Sequence, residues 1–202
     1  MRNFLMIFAV IFCASNAFAI FEGRLTYGML VSKPDMTSLY GGALTLPSAA
    51  ANYGTGFDAI FNFPLSNWGL GMRYENLGST ASGSGLDFKS VATRSALIVN
   101  YRLWNTGLHI GPLFTYGLSH TNGMTVTATD VPAGYDWKPA ASSSYSLGFE
   151  AGVALGTLLI GAEFGQETMK WDKMTDALGS SSSTPNTDMS GTYAKIFFGF
   201  GL

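Results

Sequence analysis

Wherever this chain alternates with a period of two, its charged residues fall on one side and its large apolar residues on the other. In Trp68-Gly69-Leu70-Gly71-Met72-Arg73-Tyr74-Glu75, one face carries Trp68, Leu70, Met72 and Tyr74, and the other carries two glycines, Arg73 and Glu75. Successive side chains of a strand point to opposite faces, so the segment reads as a two-faced strand. A soluble sandwich turns its apolar face inward. A barrel in a membrane inverts this, with apolar residues against lipid and polar ones in the lumen.

The N-terminus bears on which way the sheet is turned. Met1 and Arg2 give a short positive start, Phe4 to Phe12 form an apolar run, and Ala17-Phe18-Ala19 has the small-x-small ending of an export signal. The run stops at Ser15-Asn16, short of the roughly 20 apolar residues that a helical span needs. Residues 1–19 are therefore expected to be a signal peptide that is cleaved, leaving 20–202 as one domain. The only cysteine, Cys13, lies inside the signal, so the mature chain is expected to hold no thiol and no disulfide. Charged residues make up only 12% of the chain, against about 25% in soluble domains. No run of 18 apolar residues follows the signal, which excludes helical spans. A formal net charge of −2 gives no reason to expect nucleic acid as a partner.

Alternation marks eight segments, at approximately 20–31, 54–64, 67–76, 90–102, 106–119, 143–156, 158–169 and 191–202. The connections 32–53, 77–89, 120–142 and 170–190 are long and rich in Ser, Thr, Asn, Asp, Gly and Pro. Those around Ser66-Asn67, Leu103–Thr106 and Thr157 are tight. Outer-membrane barrels have short turns on the periplasmic side and long loops outside. With both chain ends in the periplasm, the two lengths alternate in phase. The expected fold is all-β: an eight-stranded antiparallel up-and-down transmembrane β-barrel with short periplasmic turns and four long extracellular loops.

In that fold residues such as Phe57, Phe61, Leu147, Phe149, Ile196 and Phe198 face lipid, and no charge appears among them. Trp68, Tyr74, Tyr101, Trp104 and Tyr116 fall near strand ends, where the membrane–water interface suits their rings. The other face holds Glu22, Arg24, Asp58, Arg73, Glu75, Arg94, Arg102, Glu150, Glu163, Glu167 and Lys195. An eight-stranded barrel is only just wide enough for its side chains to fill, and buried charges must pair. Asp58, Arg73, Glu75, Arg94, Glu150, Glu163, Glu167 and Lys195 are thus expected to form an interior charge network. Distance from the periplasmic turns places Asp58, Arg73, Glu150, Glu163 and Lys195 near mid-barrel, and Glu75, Arg94 and Glu167 nearer the outer end. Inward glycines such as Gly28, Gly148, Gly152, Gly161 and Gly165 are expected to make room for the long Arg and Glu chains. A charge-filled lumen predicts a plug; a narrow water path is the alternative.

Candidate chemistry is thin. His109 faces inward near the periplasmic end, and His120 opens the third long loop. No His, Asp or Glu cluster has metal-ligand spacing, no phosphate-binding glycine loop is present, and no cofactor is expected. Loop 120–142 carries Met124, Val126, Val131, Tyr135 and Trp137, and loop 32–53 carries Leu39, Tyr40, Leu44 and Leu46. These two loops are expected either to fold over the barrel mouth or to be the seat of an extracellular partner, because loops on a rigid scaffold carry recognition.

The signal, the eight alternating segments, the loop phasing and the ending Tyr193-Ala194-Lys195-Ile196-Phe197-Phe198-Gly199-Phe200-Gly201-Leu202 resemble the small eight-stranded outer-membrane barrels. That family includes the outer-membrane protein A transmembrane domain and its opacity- and adhesin-like relatives. The resemblance covers residues 20–202. It implies a monomer in the cell outer membrane, in contact with membrane lipid and lipopolysaccharide. It also implies handling by periplasmic chaperones and the barrel assembly machinery, which reads a C-terminal strand usually ending in Phe; here Phe200 is followed by Gly201-Leu202. The family's interior salt-bridge cluster is similar in kind to Arg73, Lys195, Glu150 and Glu163. Its members stabilise the membrane, bind surfaces or pass small solutes. The expected function is accordingly structural or surface-interacting, without catalysis, and the main alternative is a porin-like conduit. A lipid A-modifying hydrolase is a remote alternative. The outer-membrane lipid A deacylase has a His-x-Ser-Asn motif, whereas His120-Thr121-Asn122 lacks the serine and Ser119 precedes the histidine.

Overall fold

In a computed structural model the chain closes into one antiparallel barrel. The structure describes residues 20–31, 52–64, 66–83, 86–105, 107–128, 131–175, 187–188 and 190–202. The expected signal at 1–19 and the loop segment 32–51 lie outside them. Eight strands form the wall: β1 (Phe21–Val31), β2 (Asn52–Asn62), β3 (Trp68–Gly83), β4 (Leu86–Tyr101), β5 (Leu108–Ala128), β6 (Val131–Leu155), β7 (Leu158–Thr175) and β8 (Gly191–Gly201). Two-residue bridges at Trp104–Asn105 and Thr187–Asp188 add to β5 and β7. Each strand pairs with the next, and β8 pairs back onto β1 from Glu22↔Gly201 to Val31↔Thr192. Phe21 and Leu202 exchange backbone hydrogen bonds of 3.1 and 2.9 Å, so the ladder runs to the chain end.

Closure requires tilted strands and a staggered register, and the ladders show the stagger. From Tyr27, partners followed through β2, β3 and β4 arrive at Thr121 on β5. Followed the other way through β8, β7 and β6, they arrive at Ile110 on the same strand. Each ladder thus climbs around the wall. The short turns lie at one end with both chain ends, the periplasmic end by the general rule. Gly156 makes the β6–β7 turn at φ 66°, a left-handed conformation that suits glycine.

The faces are inverted relative to a soluble protein. Phe164 is 62% exposed while Glu163 beside it is 2% exposed. Outward residues are apolar from Trp68 to Tyr74 on β3, from Leu97 on β4, up to Leu118 on β5, and from Tyr145 to Leu155 on β6. They turn mostly polar above that belt, at Asn76, Thr93, Ser119, Thr121, Ser143 and Gln166, with Tyr53 and Val91 as exposed exceptions.

The strands outrun the expected segments. Much of 77–89 and 120–142 is paired, with Ser82↔Asp87 on one hairpin and Met124↔Trp137 on another. Part of 170–190 is paired too, through Lys138↔Thr175. Past the lipid an outward side chain need not be apolar, so the alternation fades while backbone pairing continues. An arginine in place of Phe149, close to the midplane, should cost about 2–4 kcal/mol. At Ser143, above the belt, it should cost close to nothing. Urea unfolding of the barrel refolded into lipid vesicles measures both.

Candidate functional site

The lumen concentrates the chain's chemistry. Among the described residues six acids and five bases are buried in it, and they join strands that are not neighbours in the wall. Towards the periplasmic end, Arg24 on β1 donates through Nη2 to Glu22 Oε2 at 2.7 Å and through Nη1 across the bore to Glu150 Oε2 on β6 at 2.6 Å. Its guanidinium lies 4.5 Å above the Phe197 ring. Arg102 Nη2 reaches across to Glu22 Oε1 at 2.6 Å. Asn62 adds a second donor to Glu22 Oε1 at 2.8 Å, and Asn100 donates to the remaining Glu150 oxygen, Oε1, at 2.6 Å.

At mid-barrel Arg73 is held between two carboxylates. Its Nε and Nη2 donate to Asp58 at 2.8 and 2.7 Å, and its Nη1 and Nη2 to Glu163 at 2.9 and 2.5 Å. The planar fork suits this two-sided bidentate arrangement in a way that an ammonium does not. In the outer tier Arg94 Nη1 bridges Glu75 at 3.0 Å and Glu167, while Nη2 donates to Thr115 Oγ1 at 2.5 Å. Lys195 Nζ donates to Glu75 from the opposite wall.

The structure brings all eight residues of the expected network into these three tiers, together with Glu22, Arg24 and Arg102. The heights differ from expectation for two of them. Glu150 belongs to the periplasmic tier with Arg24, and Lys195 to the outer tier with Glu75. Glu150, Glu163 and Lys195 are successive partners on one ladder. Because that ladder climbs with strand tilt, each serves a different tier, and counting along separate strands cannot show this.

The inward glycines also serve differently from expectation. A side chain at Gly148 or Gly165 would collide with the Tyr193 ring, and one at Gly152 or Gly161 with His109 or Phe197. They seat aromatic rings; of the five named above, Gly28 alone makes way for a charged chain, that of Lys195.

Above the charges lies an apolar layer that sequence reasoning missed: Leu30, Leu77, Ala92, Met169 and Tyr193, all buried, from β1, β3, β4, β7 and β8. A second buried cluster joins Ile60, Ile98 and Leu113. The available signal was parity, since Leu30, Leu77, Met169 and Tyr193 share the inward phase of the charges on their own strands. At the outer rim His120 Nε2 and Ser144 Oγ lie 2.5 Å apart. The expected loop opener is thus an inward strand residue, and its hydroxyl partner comes from β6. His109 is 1% exposed and stacks on Phe197 at 6.1 Å. Among the described residues no His, Cys, Asp or Glu group could hold a metal ion.

Replacing Arg73 with leucine should cost about 3–5 kcal/mol, because it strands two buried carboxylates. Lysine should restore only part of this. Adding Asp58→Asn and Glu163→Gln to the leucine variant should restore most of it. Urea midpoints of the refolded barrel order these variants.

No family model and no curated protein matches the chain in sequence. Solved structures match its fold. The structure of Neisserial surface protein A covers 90% of this chain and 97% of its own, at TM-score 0.50 and 11% identity. A major outer membrane protein from Thermus thermophilus covers 89% and 99%, at 0.51 and 11%. The attachment invasion locus protein of Yersinia pestis covers 90% and 95%, at 0.52 and 12%. With its ladder closed, its apolar face outward and its charges inside, this chain has the fold of the small outer-membrane β-barrels.

Proposed function

We propose that the chain is a closed outer-membrane barrel whose role is structural or surface-interacting, exerted at its outer rim rather than through its bore. The observation that carries this reading is the bracing across the lumen at three levels: Arg24 to Glu150, Arg73 to Glu163, and Arg94 to Glu167 with Lys195 to Glu75. A conducting pore needs sites that a solute can enter and leave. Here the polar groups are bound to one another. The outer apolar layer adds a second barrier.

The rim fits the reading. β3 to β7 continue past the lipid belt as paired hairpins, which offers a broad platform of strands to lipopolysaccharide or to a neighbouring surface. No catalysis is part of this reading. Function does not follow from a shared fold, and the proposal rests on the lumen.

A narrow conduit is the second reading. Its support is a set of buried polar atoms without hydrogen-bond partners: Arg102 Nε, His109 Nε2 and Asn100 Oδ1 low in the bore, and Glu167 Oε2 and the Tyr193 hydroxyl high in it. Groups of this kind are sites for water. Single-channel recording of the refolded protein in a planar bilayer at neutral pH separates the two readings. Silence is the expected result. Steady, reproducible openings that change with Glu163→Ala would overturn the closed barrel in favour of the conduit.

A further inference from the structure

A single irregularity in the wall sets His120 where it is. The β4–β5 ladder runs Ala96↔Gly117 and then Ser95↔Ser119, so Leu118 is an extra residue on β5. Bulges of this kind re-aim the side chains that follow. Below this one the inward residues of β5 are odd-numbered, from His109 to Gly117. Above it the phase flips, and His120, paired with Arg94, turns inward while Ser119 and Thr121 are exposed. Gly117 clears the space: a side chain there would strike both the His120 ring and Ser144 Oγ.

The position matters because of what surrounds it. The outer apolar layer draws residues from β1, β3, β4, β7 and β8. β2 meets it with Gly54, whose side-chain space the backbone of Asn76 and Leu77 fills, and no described residue comes from β5 or β6. In that sector stand His120 and Ser144, and Ser144 is the ladder partner of Met169, which belongs to the layer. We propose that the His120–Ser144 pair is a proton-sensitive latch that completes the outer seal of the lumen and releases it on acidification. The proposal rests on the closed-barrel reading above.

The hydrogen bond alone does not oppose protonation, since an imidazolium Nε2–H can also donate to Ser144 Oγ. Charge does. Arg94 on β4 stands beside the ring, and its guanidinium already engages Glu75 of β3 and Glu167 of β7. Lys195 of β8 is committed to Glu75. The described side chains of β6 at this level, Ser144 and Ser146, are hydroxyls, and β1 and β2 present no carboxylate here. An imidazolium would therefore meet a cation, half out of water at a rim that opens to solvent, and the carboxylates within reach, Glu75 and Glu167, are already paired with Arg94 and Lys195.

Above the lipid belt, burial first and Arg94 second hold His120 below the ordinary value of 6.5. A proton is then bound more weakly in the sealed state than in a released one. The latch is intact above pH 6.5 and is lost as pH falls through the lowered value. Release would let external water reach Glu167 Oε2 and the Tyr193 hydroxyl, both buried without partners.

The test reads access to the seal. With Cys13→Ser as background, Met169→Cys reports on the buried layer and Thr80→Cys on the exposed rim. An uncharged, water-soluble maleimide is applied from outside the vesicle. The ratio of the two labelling rates should rise at least tenfold between neutral pH and pH 5. His120→Gln, which keeps a neutral partner for Ser144, should abolish the rise, and His120→Lys should give the high ratio already at neutral pH. Should Met169→Cys fail to fold, Ala92→Cys probes the same layer. A ratio unchanged by pH, or a rise that persists in His120→Gln, overturns the latch. Conductance at neutral pH would overturn the closed barrel instead, so the two failures are distinguishable.

Discussion

Hydrocarbon offers the backbone no hydrogen-bond partner. A sheet placed in lipid must therefore satisfy every N–H and C=O within itself, and only closure does this completely. The β8–β1 ladder, carried to the Phe21–Leu202 pair, is the outcome. Closure of eight strands then imposes tilt and stagger, and the narrow bore that follows has room for side chains and little else. The polar face must go into that bore, because the other face meets lipid. The charge network is thus what becomes of a strand's polar face when the wall is curled this tightly.

Tilt decides which charges meet. A ladder that climbs around the wall carries Glu150, Glu163 and Lys195 to three different levels, although they are adjacent partners in the sheet. The pairs that form across the bore join strands on opposite walls, so each tier works as a tie across the cylinder. Arg73, with both carboxylates forked onto one guanidinium, is the most completely satisfied of them. The outer tier is less complete: Arg94 Nε and Glu167 Oε2 are buried without partners there. It lies directly beneath the layer that His120 and Ser144 complete.

Much of this was legible in the sequence, for a physical reason. Lipid enforces the period-two pattern strongly, so membership of the inner face could be read at Asp58, Arg73 and Glu163 without coordinates. Where lipid stops, so does the pattern. Strand residues such as Thr80, Thr121 and Lys170 gave no sign of being strands, since only backbone pairing holds them there. Leu118 shows a different loss: one inserted residue reverses the phase of all that follows, and nothing in the residue itself announces it. Tyr193 and Phe197 share the inward parity of Lys195, but an aromatic ring, unlike a charge, is equally at home on the lipid face, so its residue type does not mark it as luminal. Heights in the bore were not legible, because they depend on tilt accumulated over several strands.

The cross-lumen ties also carry a kinetic meaning. Arg24 and Glu150 are separated by 126 positions, Lys195 and Glu75 by 120, and Arg73 and Glu163 by 90. Contacts so remote in sequence form only once the intervening chain has been threaded and the wall has curled, and such topologies fold slowly. Interactions that are absent from the rate-limiting state do little to hasten folding, and they slow escape from the native state. Bonds made last in this way act as a ratchet. The barrel would be slow to complete, and once complete it would persist by the height of its exit barrier as much as by the depth of its well.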